Sequence, residues 1–204
     1  MKLIVARHGE SAWNRQGIIQ GQLDSPLTAL GLRQVTALGL ALADTDIRHI
    51  YSSPAIRAME SAEQLAQQFQ CQVTTDSRLH ERHYGIFQGK SYQYLKEQYR
   101  ELALPLLAGN PQATIPAGES VADVCDRLLS CIDELASRYL QDTVMAVTHG
   151  DVLEILIWVL KGRQNNDDLR RYSHQNASFA LLEIDVQKTT LVNWGMGTHL
   201  LKLI

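Results

Sequence analysis

Leu3-Ile4-Val5-Ala6-Arg7-His8-Gly9 decides how the rest of the chain is read. Four apolar residues run without a break into an arginine, a histidine and a glycine, so a buried strand ends in functional side chains at a sheet edge. A second junction of the same form lies far along the chain, Val144-Met145-Ala146-Val147-Thr148-His149-Gly150. Runs this apolar belong to strands covered on both faces, the situation of parallel sheets. Further strand-like runs are Ile47–Tyr51, Val73–Thr75, Phe179–Ile184 and Leu191–Trp194.

Between several of these lie helical patterns. Leu32, Val35, Leu38 and Leu42 recur on one face after Thr28, an N-cap candidate. Ile56, Met59, Leu65 and Phe69 do the same after Pro54, and Val121, Val124, Leu128, Ile132, Leu135 and Tyr139 form the longest stripe, after Ser120. Val152–Leu160 is apolar nearly all round, which predicts deep burial. Strands alternating with amphipathic helices indicate an α/β fold: a mostly parallel central sheet between two helical layers. Ligands of such folds bind outside the carboxyl ends of the strands. About Ser91 to Gly118, with Tyr92, Tyr94, Tyr99, Pro105, Pro111 and Pro116, the pattern breaks; this reads as an inserted helical and loop segment beside the site, within a single domain.

Length and composition agree. At 204 residues the chain is near the size of one α/β domain, and 45% hydrophobic content with 20% charge is ordinary for a globular protein. The balance of 19 Lys and Arg against 22 Asp and Glu leaves a net charge of −3, against a broad footprint for nucleic acid or anionic membrane. The six residues before Arg7 are too few for a signal-peptide core, and Val152–Leu160, interrupted by Glu154, is far short of the ~20 residues of a membrane span. Cys71, Cys125 and Cys131 form no CxxC motif and are odd in number, which fits a reducing cytoplasm and packing roles.

Four segments carry candidate chemistry, each with a plainer reading beside it. Arg7-His8-Gly9 is either a site or a turn after a strand. His149-Gly150 is either its neighbour or a core histidine satisfied by backbone; two such junctions in one sheet favour the site. Ile47–Tyr51 leads through Ser52-Ser53-Pro54 to Arg57 in the first turn of a helix, where a cation opposes the dipole unless an anion binds there; an exposed arginine is the alternative. Glu81 lies in His80-Glu81-Arg82-His83-Tyr84-Gly85, either a solvated carboxylate or a proton donor of raised pKa beside a phosphate.

Arg7-His8-Gly9-Glu10-Ser11 with Asn14, then Ser53 to Arg57, Glu81 before Gly85 and Gly89, and His149-Gly150 occur in an order that resembles the histidine phosphatase superfamily, in its phosphoglycerate-mutase-like branch. Gly21 to Thr28 and Pro116 to Ser120 add smaller echoes, and the resemblance spans about Lys2 to Trp194. It implies that His8 attacks phosphorus and carries a phosphohistidine, and that Arg7, Arg57 and His149 grip the phosphoryl oxygens. It also implies that Glu81 protonates the leaving oxygen and then activates water, with no metal and no cofactor. Asn14 and Gly21 match pocket-lining positions, and Tyr84 and Gly150 complete the substrate-binding set. Ser11 is either a hydroxyl hydrogen-bonding in the site or a helix or turn cap and stays outside the catalytic set, and Glu81 is preferred over Asp151 as the donor.

The branch contains phosphatases and cofactor-dependent phosphoglycerate mutases. Lys90 stands two places earlier than the lysine of the mutases, with Tyr92 in the matching register. No Arg or Lys lies between Glu101 and Ser120, and Arg100 is alone. A mutase retains a doubly charged intermediate, which needs several cations, so the expectation is a phosphatase of small phosphorylated metabolites, such as phosphorylated sugars, glycerates or the nucleoside phosphate of cobamide synthesis. The mutase is the alternative, and a non-catalytic phospho-ligand binder is a third reading. An exposed strand edge could support a homodimer.

Overall fold

Strands β1 (Lys2–Arg7), β2 (Ile47–Ser52), β3 (Val73–Thr75), β4 (Thr143–Thr148), β5 (Phe179–Ile184) and β6 (Thr189–Met196) form one sheet, in a computed structural model describing residues 1–163, 168–201 and 203. Their order is β3-β2-β4-β1-β5-β6. β2 pairs in parallel with β3 and β4, and β4 with β1. β5 alone runs against the rest, antiparallel to β1 and β6. All six strand runs expected from the sequence are present, with β6 extending past Leu191–Trp194 at both ends.

Alternation along the central strands builds two cores. Leu3 and Val5 of β1 with Val144 and Ala146 of β4 face helices α6 (Val121–Arg138) and α7 (Gly150–Leu160). Ile4 and Ala6 with Met145 and Val147 face α2 (Ala29–Ala41) and α3 (Ile56–Phe69). Both faces of β1 and β4 are therefore apolar, as the unbroken runs require, and the result is the expected three-layer sandwich. Between α3 and α6, the segment about 91–118 forms α4 (Tyr92–Gln98), α5 (Arg100–Leu107) and a loop around a third apolar cluster. There Leu95, Ala103, Leu106 and Ile115 pack with Ile19, Tyr84 and Phe87. Among the described residues no helix is long and apolar enough to cross a membrane.

The expected cap at Thr28 forms, and Ser120 caps α6 as well. Thr28 accepts the Gly31 N–H at 3.0 Å. Ser120 accepts the Asp123 N–H at 3.1 Å, while the Asp123 carboxylate accepts the Ser120 N–H at 2.8 Å, a reciprocal capping box. Two positions of the expected stripes face water instead: Leu32 is 47% and Ile56 52% exposed. In the first turn of α2 the inward place belongs to Gly31, where a Cβ would stand 2.1 Å from the Glu10 carbonyl oxygen, so Leu32 is rotated outward. In the first turn of α3 it belongs to Arg57 and Ala58, both buried.

Replacing Ser120 with alanine removes the acceptor that anchors α6 while leaving its packed face intact. The expected loss is about 1 kcal/mol of unfolding free energy, read from denaturant titration.

Candidate active site

The carboxyl ends of β1, β2 and β4 meet at one edge of the sheet, and the pairing sets which side chains emerge together. Arg7 is in register with Thr148, and the His8 N–H donates to the Thr148 carbonyl at 3.0 Å. His8 and His149 consequently lie side by side, with ring centroids 5.1 Å apart and the planes at 64°. Both rings are buried.

His8 Nδ1 is 2.6 Å from the Gly9 carbonyl oxygen. A carbonyl only accepts, so Nδ1 carries the proton and the lone pair sits on Nε2. Arg57 Nε donates to that lone pair at 3.3 Å. Burial first, then the charges of Arg57 and Arg7, hold His8 well below the usual histidine range, so its imidazole is neutral at pH 7. His149 is lowered in the same way, by burial and then by Arg57. Its Nε2 lies 2.7 Å from Ser53 Oγ at the end of β2.

Arg57 is 1% exposed and is not the surface arginine of the plainer reading. Its Nη1 donates to Asp24 Oδ1 and to the Leu23 carbonyl, both at 2.9 Å, and Nη2 donates to the Gly21 carbonyl at 2.8 Å. The loop Gly21–Asp24 thereby aims the guanidinium, and the turn requires a left-handed backbone at Gly21, φ 55°. Arg7 donates from Nη1 to the His174 carbonyl. Arg7 Nε and His149 Nδ1 are buried polar atoms without a protein partner, a costly state that a bound anion relieves at Arg7. Gly150, the first residue of α7, lies beside Arg7 and adds a helix N-terminus of the kind that attracts phosphate.

Glu81 comes from the loop between β3 and α4. Its backbone carbonyl is held from two sides, by Gln22 Nε2 and Arg127 Nη2, each at 3.2 Å. Its Oε1 accepts the Arg82 N–H at 3.0 Å. Desolvation, and then the charge of Asp151, push its carboxyl up to about 7. Four residues on, Gly85 has φ 47°, and a Cβ there would stand 1.9 Å from the Pro116 carbonyl oxygen, so only glycine lets this loop dock against the 91–118 segment.

Arg7, His8, Arg57, Glu81, Asn14, Gly21, Tyr84 and Gly150 all line one polar cavity of about 160 Å³, and His149 lies behind His8. This is small beside the ~300 Å³ and more of a drug-sized pocket. Asn14 also closes the capping box of the short helix α1 (Ala12–Gln16) with Ser11, so Ser11 is a cap. Asn14 Oδ1 further accepts from Asn176 Nδ2 at 3.2 Å, and the same Nδ2 lies 3.2 Å from the His8 carbonyl.

Sequence reasoning missed part of the wall. Asp151 and Glu154 of α7, Arg170 and Leu107 line the same cavity, beside Tyr92 of the inserted segment that the sequence already placed next to the site. Arg170 Nη1 donates to Asp151 Oδ1 at 2.8 Å and to Glu154 Oε2 at 2.5 Å, and the Tyr84 hydroxyl donates to Asp151 Oδ2. Burial and the charge of Asp151 push Glu154 up to about 8. Two carboxylates three residues apart in an otherwise apolar helix were a signal for a buried partner. Arg170 itself, in a turn after the helix, had no local signature.

A family model described as the histidine phosphatase superfamily (branch 1) matches residues 3–197. The chain is 32% identical over 186 residues to a Proteus mirabilis (strain HI4320) protein that bears the name probable phosphoglycerate mutase GpmB, a match covering 87% of this chain and 86% of that one. Among solved structures, Bacillus stearothermophilus YhfR is similar at a TM-score of 0.91 and 29% identity, over 97% of this chain and 98% of that one. A mycobacterial glucosyl-3-phosphoglycerate phosphatase, solved in complex with VO3, is similar at 0.86 and 28%, over 96% and 98%.

Because Asp151 is the nearby charge that raises Glu81, Asp151→Asn is expected to move the Glu81 midpoint down from about 7. Carbon-13 NMR of the labelled glutamate carboxyls during a pH titration reads the shift directly.

Proposed function

Because the chain belongs to branch 1 of the histidine phosphatase superfamily, we propose that it is a phosphatase that hydrolyses small phosphorylated metabolites through a phosphohistidine on His8. His8 Nε2 attacks phosphorus in line, the bond from phosphorus to the ester oxygen breaks, and the Glu81 proton passes to that oxygen. Water then attacks the phosphohistidine, Glu81 takes its proton, the N–P bond breaks and phosphate leaves. Splitting the displacement in two lowers each barrier. Arg7, Arg57 and His149 stabilise the charge spread over the phosphoryl oxygens.

The observation that carries this reading is the state of His8: Nδ1 tied to the Gly9 carbonyl, Nε2 holding its lone pair beside Arg57, and a ring kept neutral by its surroundings. Glu81, pushed up to about 7, has comparable populations of acid and base at neutral pH, which suits a group that gives a proton in one half-reaction and takes one in the other. Resemblance to a glucosyl-3-phosphoglycerate phosphatase supports hydrolysis. The mutase reading has its own support in the relative named GpmB, but the stretch between Glu101 and Ser120 lacks the cations that would hold a bisphosphorylated intermediate. The three free cysteines accord with a cytoplasmic location.

His8→Ala is expected to abolish turnover of p-nitrophenyl phosphate, and rapid-quench mass spectrometry of the unaltered protein to find an acid-labile phosphoryl adduct on His8. No adduct, together with an active His8→Ala protein, overturns the proposal. With 3-phosphoglycerate and 2,3-bisphosphoglycerate supplied together, no 2-phosphoglycerate should appear. Glu81→Gln is expected to cost about 10²–10⁴ in rate on alkyl phosphates.

The pH dependence has a definite sign. The donor must be protonated, and its protonated fraction falls as pH rises through about 7. Rates on alkyl phosphates, whose leaving oxygen needs the proton, should therefore decline above pH 7. Rates on p-nitrophenyl phosphate, a good leaving group, should decline much less over the same range.

A further inference from the structure

Three guanidinium groups reach the cavity, from Arg7, Arg57 and Arg170. The first two flank His8. Arg170 lies at the wall that the rest of the substrate would meet, and its Nη1 is shared by Asp151 and Glu154. Both carboxylates are nearly inaccessible, with side chains 8% and 6% exposed, against 34% for Arg170. Asp151 is further held by the Tyr84 hydroxyl. This half of the cavity is therefore neutral if Glu154 carries a proton and negative if it does not. In neither state does it hold a spare positive charge.

A carboxylate on the leaving group would have to lie against Asp151 and Glu154, which already share Arg170 Nη1, so a further negative charge would compete with two buried acids for one guanidinium. A hydroxyl group makes no such demand. It can donate to a carboxylate oxygen and accept from an N–H of the same cluster. Selection by an unpaired buried charge is stronger than selection by shape alone.

Resting on the phosphatase reading above, we propose that the Asp151–Arg170–Glu154 cluster is the specificity wall of this enzyme, and that it selects phosphate esters of uncharged, hydroxyl-bearing alcohols over esters whose alcohol carries a carboxylate. Within the small phosphorylated metabolites, glycerol and sugar phosphates are favoured and phosphoglycerates are not. Glu154, which reaches the cavity from the second turn of α7, is the residue that makes the difference. It adds a second carboxyl group to the one Nη1 that Asp151 already holds, so no net positive charge is left for an incoming carboxylate.

The test is a matched pair. Glycerol 3-phosphate and 3-phosphoglycerate differ at the far end by a hydroxymethyl group against a carboxylate. The intact protein should show kcat/KM at least tenfold higher for the first. Glu154→Ala removes one acid from Arg170 and one partner for a hydroxyl, so the ratio between the two substrates should shrink at least fivefold. The ratio reads specificity whatever happens to the absolute rate, and the intact protein's ratio stands alone if the variant fails to fold. Equal or better turnover of 3-phosphoglycerate by the intact protein overturns the proposal, as does a ratio unchanged within twofold in a folded Glu154→Ala protein. If p-nitrophenyl phosphate is hydrolysed in either case, only the specificity wall has failed. If it is not hydrolysed at all, the phosphatase reading has failed with it.

Discussion

Everything at the site depends on how β1 is laid against β4. The two strands are parallel, with Arg7 opposite Thr148, and the first residue beyond each is a histidine. Because strand side chains alternate between faces, a slip of one residue would send one histidine to the wrong side and break both apolar cores at once. The register is held by Ile4, Ala6, Met145 and Val147 on one face and Leu3, Val5, Val144 and Ala146 on the other. Core packing and catalytic geometry are thus one constraint. The apolar residues that make the strands obligatory partners also determine the 5.1 Å separation of the imidazole rings.

Burial then converts that geometry into reactivity. Taking a histidine out of water disfavours its protonated form, and two neighbouring guanidiniums disfavour it further, so His8 keeps the lone pair a nucleophile needs. The same loss of water acts in the opposite sense on a carboxyl group, and it holds Glu81 near 7. One low-dielectric environment thereby produces an unprotonated base and a proton-bearing acid. The cost falls on Arg57, a nearly inaccessible cation that is stable only because Asp24 and two carbonyls surround it.

Much of this was legible from residue order. The two strand-to-histidine junctions and the cap at Thr28 are local patterns, and local patterns survive folding. Arg57 was legible as an anomaly, a cation where a helix dipole disfavours one. The wall around Arg170 was not, because it joins a turn after α7 to the buried side of that helix, and no spacing rule connects them. Leu32 and Ile56 misled for a related reason: periodicity identifies a face, but Gly31 and Arg57 had taken the inward places for close backbone contact and for the site. The stretch before Ser120 holds no cation for the rest of a substrate, whereas Arg170, beyond the two arginines beside His8, comes after α7 and arrives already neutralised.

The backbone at Glu81 is pinned by Gln22 from one side of the cavity mouth and by Arg127 from α6 on the other. In the proposed reaction, a carboxyl group anchored at its own peptide unit does little searching before it delivers a proton. Its freedom is surrendered once, when the chain folds, rather than again at every catalytic cycle. Loosening either tether would therefore show itself first in the activation entropy of turnover, well before any change in how firmly a phosphorylated compound is held.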